Sequence, residues 1–275
     1  MGLAPGPVRK ADSFHERDNL VVAGAYAAGA AVAAAAVAIG VALAAYGWRE
    51  VAWVLTAPGA QGVMQALGTT ALIVLIALPI TFAAGFLAAV SANDPSIGGI
   101  AGSAVRESIE WSSGIPPVVI GSAVFFCAIA LHYENAVAAA VLALVLLNLP
   151  NATARIARAF TVVPRHAREA AAALGASPVA AFFGLDQPAA AWATAAALFT
   201  LTAQMIGETS AIAIAMGATD GPEPLSVRIW RFASNSSMAG TEAASCIVLV
   251  ALVAAFLGLS RMCARRNLES HLASR

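Results

Sequence analysis

Apolar residues in this chain fall into runs too long for the helices of a water-soluble core. A helix crossing a bilayer needs about 20 mostly apolar residues, and six such spans are predicted, at about 20–46, 63–92, 112–132, 134–151, 188–216 and 239–261. Alanine dominates several of them, which suits close approach of one helix to another. The third and fourth are separated only by His132-Tyr133-Glu134-Asn135, so they form a tight hairpin. The first run, Leu20 to Ala45, far exceeds the ~7–15 apolar residues of a signal peptide. Its leader also mixes Asp12, Glu16 and Asp18 with Arg9, Lys10 and Arg17. It therefore reads as an uncleaved helix between an N-terminal tail, 1–19, and the rest of a single transmembrane unit, 20–261. A C-terminal tail, 262–275, follows.

The polar intervals set the orientation, because basic residues stay on the cytoplasmic side. With the N-terminus inside, the inner segments hold Arg9, Lys10, Arg17, Arg106, Arg155, Arg158, Arg165, Arg168, Arg261, Arg265, Arg266 and Arg275; the outer ones hold only Arg49, Arg228 and Arg231. Both termini are thus expected in the cytoplasm. Residues 95–111 read as an interfacial helix leading into the third span. Residues 217–238, with the turn-forming Asp220-Gly-Pro-Glu-Pro224, read as an external loop carrying a short helix around Leu225–Phe232.

Composition agrees with this pattern. Of 275 residues, 60% are hydrophobic and 11% charged, against roughly 25% charged in a soluble domain, and mean hydropathy is +0.80. Fifteen basic and fifteen acidic residues leave no net charge to attract nucleic acid. Cys127, Cys246 and Cys263 have neither the number nor the spacing of a disulfide framework or zinc site, and read as small apolar fillers. No metal or cofactor is expected.

The longest polar interval, 152–187, carries the most information. Pro164 is placed to begin a helix and Gly175 to end it, and Ser177-Pro178 is an N-cap followed by proline that opens a second short helix toward Gly184. Two short helices meeting at a glycine make a compact projecting knob. Its small-residue face (Ala170, Ala171, Ala173) is either a surface another protein can approach closely or part of an ordinary positive-inside loop. In sequence, Glu169-Ala170-Ala171, three residues, Gly175, nine residues, Leu185, one residue, Gln187-Pro188 resembles the EAA loop of ABC importer permeases; Leu185 and Gln187 replace that pattern's Ile and Leu. Three further stretches are similar to the phosphate (Pst-type) permeases: Leu149-Pro150 through Ala176, Gly114-Ile-Pro-Pro-Val-Val-Ile-Gly121, and Ile206-Gly207-Glu208-Thr209. Together with Gly68-Thr69 the likeness covers about residues 60–260.

The resemblance implies an all-α, six-span type I permease fold in a bacterial cytoplasmic membrane. It implies a separate ABC ATPase docking on Arg165, Arg168, Glu169, Ala170, Ala171 and Gly175. It also implies a second permease, identical or related, and an extracytoplasmic substrate-binding protein landing on 48–62 and 217–238. Transport of phosphate is the expected function, with another oxyanion or a phosphonate as the alternative.

Glu208 stands out in the fifth run. A charge at mid-membrane costs roughly 2.5–3.5 kcal/mol on insertion scales, and such residues face a bundle interior or a water-filled path. Thr200, Gln204 and Glu208 fall at i, i+4 and i+8 and so share one helix face, with Thr209 next to it and Gly207 beside it allowing close approach of backbone or substrate, or a bend. This face is expected to line the translocation path; the other reading is a structural glutamate bonded between helices. Phosphate permeases often carry arginine where this chain has Gln204, which supplies amide donors but no charge. Pro116-Pro117 reads as a broken helix start or as a re-entrant element, the former being the simpler. An intramembrane enzyme would need paired catalytic groups, and the sequence contains no His-Glu-x-x-His, no Gly-x-Ser-x-Gly and no phosphate-binding Gly-x-x-x-x-Gly-Lys-Ser/Thr. A membrane anchor or sensor that couples to an ATPase without transport is the third class. The polar face around Glu208 argues against it.

Overall fold

Long alanine- and leucine-rich runs form helices because these side chains lose little rotamer freedom there, and every element described below is helical. The computed structural model describes residues 28–51 (except 29, 33 and 36), 61–93, 102–109 (except 106), 114–161 (except 134), 163, 165–217, 222–232 and 239–273. The elements are α1 (Ala30–Val51), α2 (Gln61–Asn93), α3 (Pro117–Ala130), α4 (Ala136–Phe160), α5 (Arg165–Ala173), α6 (Pro178–Ala181), α7 (Gln187–Gly207), α8 (Ser210–Met216), α9 (Leu225–Phe232) and α10 (Ala239–Ala273). A π-helical turn, Phe182–Asp186, joins α6 to α7.

Among the described residues, five helical segments are long and apolar enough to cross a membrane: Ala30–Val51, Val63–Asn93, Ala136–Phe160, Phe182–Gly207 and Thr241–Asn267. The expected third span is the exception. Its helix, α3, has 14 residues, short of the ~20 a crossing needs. The two prolines explain where it starts. Pro116 is extended (φ −62°, ψ 140°) and Pro117 takes the first helical position, where its missing N–H costs nothing. The expected fifth span, 188–216, is interrupted after Gly207, and the remaining differences lie at boundaries. Helix α4 continues through Phe160, past the expected end at 151, because Ala152 to Phe160 are good helix formers that bury Ala152, Ile156 and Phe160. Helix α10 likewise runs to Ala273, through its arginine-rich end. Of the expected interfacial helix, 102–105 and 107–109 are helical; Glu110 and Trp111 lie outside the described residues.

Helices α2 and α4 run parallel, side by side. Their ends are tied by Asn93, whose Nδ2 donates to the carbonyls of Ala89 (3.1 Å) and Ala157 (3.0 Å). Helix α7 packs antiparallel to α10. The pairing is held by hydroxyls, since Ser260 Oγ lies 2.8 Å from Thr200 Oγ1 and donates to the Ala196 carbonyl at 2.8 Å. At the far end of this pair the Arg266 guanidinium sits 5.1 Å over the Trp192 ring. The core centres on Ile73, Ala77, Leu144, Met205 and Ile212, from α2, α4, α7 and α8. Helix α1 is exposed along most of its length and meets the body at Gly47, which lies against the Ala243–Ala244 backbone, and at Val51.

The hairpin between α3 and α4 is as tight as its short sequence requires. Leu131 and His132 close α3, His132 takes φ +54°, and Asn135 caps α4 by accepting from the Ala138 N–H at 3.0 Å. Asn135→Ala is expected to destabilise the chain by about 1 kcal/mol, read as a lowered thermal midpoint in detergent.

Candidate functional site: a projecting knob and a broken helix

Between α4 and α7, α5 and α6 form the expected knob. Helix α5, Arg165–Ala173, lies within the expected bounds of Pro164 and Gly175. Its end is a Schellman motif: the Gly175 N–H donates to the Ala172 carbonyl (2.9 Å), the Ala176 N–H to that of Ala171 (3.0 Å), and Gly175 takes φ +84°. Only glycine adopts that conformation without strain. Ser177 caps α6, its Oγ accepting from the Ala180 N–H at 3.2 Å. Glu169, Ala170 and Gly175 are exposed, Ala171 is partly covered, and Leu174 stands 90% exposed at the tip. Beside the small exposed side chains of α5, this leaves the tip of the knob open to close approach by another protein. Arg165 opens α5, and its side chain lies outside the described residues, as does Pro164.

Arg168 behaves differently from its neighbours. Its guanidinium turns inward, Nε donating to Asp186 Oδ1 at 2.8 Å and Nη2 to the Phe160 carbonyl at 2.9 Å. Asp186 is buried. Phe160 and Phe182 stack edge to face beside this contact, with Phe86 of α2 completing the cluster (centroids 5.1, 5.6 and 6.0 Å apart). Asp186 had no signal in the sequence, because its partner lies 18 residues away and only the folded loop brings the two together.

The second region is the expected polar face. Helix α7 ends at Gly207, and the backbone breaks: Glu208 is extended (φ −71°, ψ 130°), Thr209 is non-helical, and α8 resumes at Ser210. Glu208 therefore does not continue the helical row of Thr200 and Gln204. The Thr200 hydroxyl is engaged with Ser260 and its own Ala196 carbonyl, at the α7–α10 contact. Gln204 and Gly207 are exposed, and Glu208 and Thr209 are partly covered. The structure thus groups Gln204, Gly207, Glu208 and Thr209 at the break and places Thr200 apart from them.

Several partners hold the break. Glu208 Oε1 accepts from the Ser210 hydroxyl (3.0 Å) and the Ala211 N–H (3.2 Å), satisfying an otherwise orphaned donor of α8. The freed Glu208 carbonyl accepts from Ser226 Oγ at 2.8 Å. Ser226 belongs to α9, which the sequence placed in an external loop. Pro224, Leu225, Ser226 and Val227 are in fact buried, and the Leu225 N–H donates to Thr70 Oγ1 of α2 at 2.9 Å. Glu223 and Arg231 pair at the exposed edge of this segment.

Gly121 of α3 meets the same place. A Cβ there would lie 2.6 Å from the Ala211 carbonyl oxygen and 3.0 Å from its Cα. Two stretches distant in sequence, around Gly121 and Glu208, are thereby neighbours. Beyond them, at the end of the bundle opposite the knob, lies a cavity of about 600 Å³. It is lined by Phe125, Ile129, His132, Tyr133, Asn135 and Met216, among others. Among the described residues no cluster of three or more His, Cys, Asp or Glu could hold a metal ion.

Comparison with known proteins agrees with this architecture. No curated protein sequence matches the chain. A solved structure of the MetNI methionine ABC transporter in inward-facing conformations is similar, with a TM-score of 0.63 at 17% identity, over 77% of this chain and 99% of that one. The fold is therefore that of the type I ABC importer permeases. Residues 82–273 match the family model described as "Binding-protein-dependent transport system inner membrane component". That match takes in the knob, the broken helix and α10. The chain belongs to this family, as a membrane-embedded, multi-pass permease of the ABC importer class.

Proposed function

We propose that the chain forms half of a phosphate-conducting path through the bacterial cytoplasmic membrane, with both termini inside. A second permease, identical or related, supplies the other half. A separate ABC ATPase docks on the knob at Glu169, Ala170, Ala171 and Gly175, with Arg165 and Arg168 at its base. An extracytoplasmic substrate-binding protein delivers the cargo to the opposite end. The permease itself catalyses no reaction; closure of the ATPase moves the knob and alternates the access of the path lined by Gln204, Gly207, Glu208 and Thr209, while Thr200, one turn away, holds α7 to α10.

The observation that carries this reading is the knob: an exposed, small-residue helix ended by a left-handed glycine, with Leu174 bare at its tip. Support for phosphate is that the two stretches resembling phosphate permeases, around Gly121 and Glu208, come together at the helix break. The second reading, another oxyanion or a phosphonate, is favoured by Gln204. It is exposed beside the break and offers amide donors without the positive charge that a phosphate dianion favours.

The test is reconstitution with its ATPase, its second permease and its binding protein. ATP-dependent accumulation of inorganic phosphate is expected, and accumulation of a phosphonate or another oxyanion in its place would select the second reading. Gly175→Val forces a β-branched residue to positive φ, a strain of about 1–3 kcal/mol. Recovery of the ATPase with the permease should fall about tenfold or more, and Glu169→Lys should act in the same direction. Unchanged ATPase recovery and uptake in both variants would remove the docking role of the knob.

A further inference from the structure

We propose that Arg168 and Asp186 form a transmission pin, which makes α4 and α7 move with the knob rather than merely adjoin it; the inference rests on the knob being the docking site. Three elements meet at one guanidinium. Arg168 stands on α5; its Nη2 reaches the carbonyl of Phe160, the last residue of α4; its Nε reaches Asp186, the residue before α7. The Phe160 carbonyl is one of the four that a helix leaves without an internal partner at its C-terminal end. The Asp186 side chain makes no capping bond to α7 and is committed to Arg168. Both contacts are charge-assisted and directional, and the planar guanidinium fixes their relative angle.

The setting favours transmission over simple attachment. Asp186 is 6% exposed, so its charge is screened little by solvent. Phe160, whose carbonyl Arg168 grips, and Phe182 of the turn that ends at Asp186 are buried edge to face in one cluster, so the two elements pack tightly at this point. Among the described residues, α5 has its main packing contact with the short α6, and Arg168 bonds it to the ends of α4 and α7. A push on α5 therefore reaches α4 and α7 together, at the two ends that flank the loop. Arg168 and Asp186 act as positioning residues and need not touch the ATPase or the cargo.

The experiment uses the complex with its ATPase, reconstituted in liposomes, with Cys127, Cys246 and Cys263 replaced by alanine and a reporter Tyr133→Cys lining the cavity at the opposite end. The readout is the rate of maleimide modification of that cysteine, with and without ATP, alongside ATP hydrolysis and recovery of the ATPase. In the unaltered pair, ATP should change the modification rate. Asp186→Asn, which keeps shape and removes the charge, should cut that ATP response about tenfold, the loss expected for one charged hydrogen bond, while hydrolysis and ATPase recovery stay within about twofold. Arg168→Lys, able to reach one partner but not both, should fall in between, and the exchanged pair Arg168→Asp with Asp186→Arg should recover part of the response. An undiminished response in Asp186→Asn overturns the pin. So does loss of ATPase recovery in step with the response, which would make the pair a prop for the docking surface. If the unaltered permease recovers no ATPase or shows no ATP response, it is the functional reading that fails.

Discussion

Gly121→Val is expected to abolish transport and to loosen the chain, because the added side chain has no place to go. The nearest atoms to a Cβ there are backbone, at 2.6 and 3.0 Å in Ala211, and backbone cannot rotate aside as a side chain would. Helix α3 must separate from α8, at a cost typical of core overpacking, about 1–3 kcal/mol and occasionally more. The functional cost is larger than the energetic one, since α8 begins immediately after the break at Glu208 and its position sets that of Ser210 and Ala211. The measurement is a paired one: thermal unfolding of the detergent-solubilised chain and uptake by the reconstituted complex. Gly121→Ala should show the same direction with smaller size. Wild-type uptake by the valine variant would mean that α3 and α8 do not need this approach.

Glu208→Ala should leave the complex assembled while uptake falls by about an order of magnitude or more, the scale on which intramembrane charges matter. Alanine also strands the Ser210 hydroxyl and the Ala211 N–H, and an unsatisfied buried donor costs about 1–3 kcal/mol. Glu208→Gln separates the two effects. A glutamine oxygen can still accept from Ala211, so a purely structural cap would survive the change, whereas a path that uses the negative charge would not. Loss of uptake in both variants, with ATPase recovery unchanged, supports the path. Full uptake with glutamine would reassign Glu208 to holding α8 in place.

The fold was legible wherever a local rule governs it. Span length and hydropathy located α2, α4, α7 and α10, and proline and glycine punctuated the loop, so that Pro117, Gly175 and Ser177 each took the role their chemistry predicts. What the sequence concealed depends on distant partners. The apolar run through Met205-Ile206-Gly207-Glu208 keeps a helical pattern, and Gly207 signals at most a bend, not the full break that follows it. The break is held by Ser226 from α9, and α9 is in turn pinned to Thr70 of α2. The segment 217–238 reads as an external loop with a short helix at Leu225–Phe232, and the helix is there, but only the long-range bonds reveal that Pro224 to Val227 are buried. Arg168 counted toward positive-inside charge, and only the folded loop reveals that its guanidinium faces Asp186.

The interruption at Glu208 has a consequence for the solitary subunit. Hydrocarbon offers no hydrogen bonds, so irregular backbone at membrane depth survives only against protein or water. Gln204 and Gly207 lie bare on one copy, beside residues that have left the helical ladder. A single chain surrounded by lipid tails would hold this polar seam against a solvent that rejects it. Cover by protein or by water is thus a condition of the subunit's own stability in the bilayer, before any cargo arrives.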